Sequence, residues 1–102
     1  MIEHTVTFRL KPNLKPEVAN DFLQVASELA NIQGVREFAI RRQVSPKCAH
    51  AFGITMKFAS QAEYDHYSSH PLHEAFVKNY WLTHVEDFQE ADFQPLEARN
   101  RT

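Results

Sequence analysis

The first ten residues admit few conformations. Ile2, His4, Val6, Phe8 and Leu10 alternate with Glu3, Thr5, Thr7 and Arg9. Side chains of a strand point alternately to opposite faces, so nine residues of period two define a strand with one apolar face. Such a strand needs neighbours for its backbone and a cover for its apolar side. The rest of the chain supplies both.

Lys11-Pro12-Asn13 ends the strand. Pro16 suits the first turn of a helix, and Glu17 and Asp21 favour its positive end. Val18, Phe22, Val25 and Leu29 recur at helical spacing, which predicts an amphipathic helix over Pro16 to Ala30. Gly34 follows it and is expected in the left-handed conformation. Val35 to Val44 reads as a second strand with Phe38 and Ile40 on its apolar face. Ser45-Pro46-Lys47-Cys48 reads as a hairpin loop, and Ala51 to Phe58 as a third strand. Ser60-Gln61-Ala62-Glu63 is a capping box opening a helix. Pro71 cannot continue that helix but can start another, which predicts two pieces, Ser60–Ser69 and Pro71–Trp81. His84 to Phe93 is a last, less regular strand. Residues 1–95 thus form one domain and 96–102 a C-terminal tail.

The order β-α-β-β-α-β is the split-βαβ, ferredoxin-like arrangement: an α+β fold with one face of an antiparallel sheet under helices. The face carrying His4, Val6 and Phe8 meets the helices. The opposite face carries Glu3, Thr5, Thr7, Arg9, Ala39, Arg41, Ala51, Gly53 and Thr55, and is left bare. Its small residues and threonines suit a second sheet. A chain of 102 residues buries only about two-thirds of its unfolded surface, so burial in a homodimer through the sheet faces would matter. A net charge of −2 gives no basic field for nucleic acid. The lone Cys48 cannot form an internal disulfide and fits a reducing compartment such as the cytoplasm. No apolar run reaches the roughly 18 residues of a membrane span, and with the first residues already in a strand pattern no signal peptide is expected.

Three stretches carry a resemblance: Met1 through Pro12, Ile32-Gln33-Gly34-Val35, and above all Phe58 through Val77 with its core His70-Pro71-Leu72-His73. Over residues 1 to 95 the chain resembles the stress-responsive A/B-barrel (Dabb) family. The resemblance implies a ferredoxin-like monomer and a dimeric α/β barrel formed sheet to sheet. It implies no single reaction. One plant branch comprises polyketide cyclases, in which a histidine acts as base and a tyrosine supports it. Aligned through His-Pro-x-His, these match His73 and Tyr67, and a pocket histidine of the first strand matches His4. The family often has an Asp-His pair entering the third strand. Ala51 and Phe52 stand there instead, which implies a more apolar pocket, lined by His4, Val6, Phe8, Phe22, Phe52 and Ile54.

The residues themselves leave alternatives. His66, His70 and His73 are spaced four and three apart, as metal ligands on one helix face could be, but Pro71 breaks that helix and no metal or other cofactor is expected. His73 in the first turn of its helix is favoured as a neutral imidazole, as a general base requires. The plainer alternative makes His70 a cap and His73 a packing residue. Tyr67 either orients an imidazole or packs beside Tyr64. His4 is either a pocket wall or a core histidine. Cys48 has no base beside it, and Arg41, Arg42 and Lys47 make a solvated edge. Two functions remain: a dimeric stress-responsive A/B-barrel protein with a small-molecule pocket between sheet and helices, its reaction unassigned and a small apolar carbonyl compound a possible ligand, or a cofactor-independent cyclase or lyase acting on a polyketide-like carbonyl substrate with His73 as base, Tyr67 as its partner and His4 as a pocket wall.

Overall fold

The computed structural model describes residues Met1–Leu96. The proposed tail from residue 97 onward lies outside the described residues. The elements are β1 (Ile2–Leu10), α1 (Pro16–Ser27) with a 3₁₀ turn Glu28–Asn31, β2 (Arg36–Arg42), β3 (Phe52–Phe58), α2 (Gln61–Ser69), α3 (Pro71–Phe76), a π-helical turn Val77–Trp81, α4 (Leu82–His84) and β4 (Val85–Phe93). The four strands form one antiparallel sheet in the order β2-β3-β1-β4. This is the ferredoxin-like α+β fold that the element order predicts.

Local chemistry sets the joints. Ser60 Oγ accepts the Glu63 N–H at 3.2 Å and caps α2. The Glu63 carboxylate reaches back to the Ala59 N–H at 3.1 Å, one residue beyond the usual box. Gly34 has φ +98°, the left-handed turn expected of it. The last helical segment runs on to His84 instead of ending at Trp81, because the π turn and α4 continue it.

The register confirms which residues share a face. On the helix side His4 pairs with Met56 and Asp92, Val6 with Ile54 and Glu90, and Phe8 with Phe52 and Phe88. Phe8, Phe22 and Phe58 are fully buried. Phe8 stands 5.8 Å from Phe22, 5.6 Å from Phe52 and 5.0 Å from Trp81, ring centre to ring centre. On the other side Thr5 pairs with Thr55 and Ala91, Thr7 with Gly53, and Ala39 with Thr55. No described helix covers that side.

Candidate functional site

A cavity of about 260 Å³ lies between the sheet and the α3–α4 segment. Its floor is His4, Val6, Ile54 and Met56; Leu29 and Phe76 close its sides. Tyr67 and His73 sit at one end. The exposed side chains of Leu82, Phe88 and Glu90 mark its mouth along β4. Val77, Trp81 and Leu82 come from the π turn and α4, whose widened helical repeat presents all three to the cavity. The volume falls just under the roughly 300–1,000 Å³ of drug-sized pockets, so the space suits a small molecule.

Three residues expected at a site, His4, Tyr67 and His73, converge on this cavity, and Val6 and Ile54 line it. Phe8, Phe22 and Phe52 do not. Their rings are locked in the aromatic core and fill space where a pocket wall was expected.

His73 follows the helix break at Pro71. Its Nδ1–H donates to the Ser68 carbonyl at 3.0 Å. A carbonyl can only accept, so Nδ1 holds the proton and the neutral ring keeps its lone pair on Nε2. Burial lowers the His73 pKa, and the nearby His4 lowers it further; the Ser68 bond and the Glu74 and Glu90 charges oppose the shift. The Tyr67 ring packs on His73 with centres 4.6 Å apart. Orientation of the imidazole therefore comes from the Ser68 carbonyl, and Tyr67 supports it by ring contact. Tyr67 itself is buried, and burial, with a smaller contribution from the Glu90 charge, raises its pKa, so its hydroxyl stays protonated as a donor. His70 receives the Leu72 N–H on Nδ1 at 3.1 Å and caps α3. Among the described residues no three His, Cys, Asp or Glu side chains gather as a metal site.

His4 is buried and held by a network the sequence reading missed. Its Nδ1–H donates to Asp92 Oδ1 at 2.7 Å, and the Tyr64 hydroxyl lies 2.8 Å from the same nitrogen. Tyr64 O–H donates to Asp92 Oδ2 at 2.9 Å. Burial and the Asp92 carboxylate keep the Tyr64 phenol protonated. With Nδ1 donating to a carboxylate, the second nitrogen of His4, Nε2, stands 3.7 Å from Glu90 Oε2. Both acids project from β4 on the face shared with His4.

Fold and site together define an antiparallel ferredoxin-like α+β domain with a histidine-lined cavity under its helices. Residues 2–95 match the family described as Stress responsive A/B Barrel Domain, abbreviated Dabb, and the chain belongs to it. Among curated proteins none matches. A Dabb family protein with a ferredoxin-like fold from Mesorhizobium loti is 44% identical, with 93% of this chain and 96% of that one covered and a TM-score of 0.87. A hydroxynitrile lyase from Passiflora edulis is 18% identical over 95% of this chain and 94% of its own, TM-score 0.82. A dimeric ferredoxin-like protein of unknown function from Thermobifida fusca is 19% identical over 92% and 90%, TM-score 0.78. No described helix is long and apolar enough to cross a membrane.

Proposed function

We propose that this protein is a homodimer, packed sheet to sheet, whose cavity takes a small, mostly apolar carbonyl compound with His73 as general base. One observation carries the reading. The proton of His73 is fixed on Nδ1 by the Ser68 carbonyl, which leaves Nε2 unprotonated beside the Tyr67 ring in an apolar cavity. Environment pushes the two groups apart: the His73 pKa is lowered and the Tyr67 pKa raised, which is the pattern of a base beside a proton donor. The Nε2 lone pair takes a proton from the carbon next to the carbonyl. The C–H electrons form the enolate double bond, and the carbonyl π pair moves to oxygen, where the Tyr67 hydroxyl can donate to it. The likeness to a hydroxynitrile lyase makes a substrate hydroxyl the second candidate for the same base.

Replacing His73 with Gln should lower turnover of an enolisable ketone by ~10²–10⁴-fold and change its affinity little. If the native protein exchanges no α-proton for deuterium with any ketone it binds, the base assignment fails and a binding protein remains.

The bare sheet face and the dimeric relatives from Thermobifida fusca, Bacteroides fragilis and Jannaschia support the dimer. Light scattering should give twice the chain mass of 11.9 kDa; a stable mass of one chain at micromolar concentration ends that proposal. The free Cys48 supports a reducing, cytoplasmic setting.

A further inference from the structure

We infer that this cavity selects a carbonyl compound that is uncharged and carries a hydroxyl hydrogen, and that Glu90 is the residue that turns away a carboxylate. The inference rests on the carbonyl reading above and adds to it the polarity of the rest of the ligand.

A count of donors and acceptors carries it. The cavity wall offers three acceptors: His73 Nε2, His4 Nε2 and the Glu90 carboxylate. Each Nδ1 proton is committed, one to the Ser68 carbonyl and one to Asp92, so the neutral form of either imidazole accepts at Nε2. Tyr67 O–H is a donor available for a carbonyl oxygen. A ligand with only a carbonyl would satisfy Tyr67 and leave His4 Nε2 and Glu90 facing apolar atoms. A ligand with a hydroxyl at the β4 end supplies the missing hydrogen, and sites built to bond a hydroxyl discriminate well against analogues lacking it.

Charge points the same way. No Lys or Arg belongs to the described cavity lining, whereas Glu90 is part of it and Asp92 stands directly behind His4. Even with His4 protonated, two carboxylates face one imidazolium. A carboxylate ligand would lose water and meet a wall of net like charge. The Glu90 side chain is 55% exposed, so screening limits the effect to an order of magnitude.

Three ketones of one skeleton test this: 4-(hydroxymethyl)acetophenone, 4-methylacetophenone and 4-acetylbenzoate, titrated calorimetrically against the full chain at neutral pH. The hydroxymethyl compound should bind about tenfold more tightly than the methyl compound, and the carboxylate at least tenfold more weakly than either. In Glu90→Gln the carboxylate penalty should shrink about tenfold while the hydroxymethyl preference stays, since Gln still accepts a hydrogen bond. In Glu90→Leu both should shrink. Position 90 lies on the exposed edge strand, so these variants should fold; a thermal melt checks it. Equal affinity for all three ketones, or a carboxylate penalty unchanged in Glu90→Gln, overturns the inference and leaves the carbonyl reading standing. Failure of every ketone to bind overturns the carbonyl reading and this inference with it.

Discussion

His4 and His50 are the two buried polar residues among those described, and they lie on opposite faces of one sheet. Each is clasped by an aspartate of β4. His4 gives Nδ1–H to Asp92 and keeps Nε2 at the cavity. His50 spends both nitrogens: Nε2 lies 2.7 Å from Asp87 Oδ2 and Nδ1 2.8 Å from Thr7 Oγ1. Asp87 in turn is held below the ordinary carboxylate range, first by the His50 bond; burial is the next effect and opposes it, and the Arg9 charge adds a smaller downward push. Burial and a carboxylate partner are common to both histidines. The difference is one uncommitted nitrogen in a space large enough for a ligand. His50 is a structural tie across the bare face; His4 is a tie with a free end.

Three measurements press on that contrast. The largest effect belongs to the core that backs the cavity. Phe8→Ala or Phe22→Ala should cost about 3–5 kcal/mol in denaturant unfolding, as for a fully buried phenylalanine. A loss under ~1 kcal/mol would mean that these rings line accessible space after all. Next, His50→Ala should cost about 1–2 kcal/mol, discounted because Asp87 is exposed, and should leave ketone affinity in the cavity untouched. If affinity falls instead, the bare face and the cavity are coupled and the two histidines are not functionally distinct. The smallest effect is on pH dependence. Folding lowers the His73 pKa through burial, so the unfolded chain binds more protons near and below pH ~6.5. Stability therefore rises with pH up to that range, falls on acidification below it, and levels off beneath the folded pKa. His73→Gln should flatten this segment; an unchanged slope between about pH 5 and 7 would assign it to other groups.

Much of this was legible in the sequence, and the reason is geometric. Period two in β1 and β3 fixed their faces, and Pro71 with His70 announced the helix break. Family resemblance pointed to His4, Tyr67 and His73. Hydrophobicity, however, says only that Phe8, Phe22 and Phe52 are inside; it does not separate a ring packed against rings from one beside a void. Glu90 and Asp92 were illegible for another reason. β4 is an edge strand that puts acids on both faces, Glu86 and Asp87 as well as Glu90 and Asp92, so its pattern carries no inward signal. Only the pairing of His4 with Asp92 reveals it. The role of the Ser68 carbonyl is a backbone property of the break and has no residue signature.

The bond between His4 and Asp92 joins residues 88 apart in sequence. The polar end of the cavity is thus written at the two extremes of the domain and exists only after the last strand has docked beside the first. Contacts of such long range carry the largest loop-closure cost and form late. A nascent chain on the ribosome can build the β1–β3 pair and α1 while its site is still missing an entire wall. Ligand binding, once measured in this cavity, would therefore also report that the final strand had docked in register.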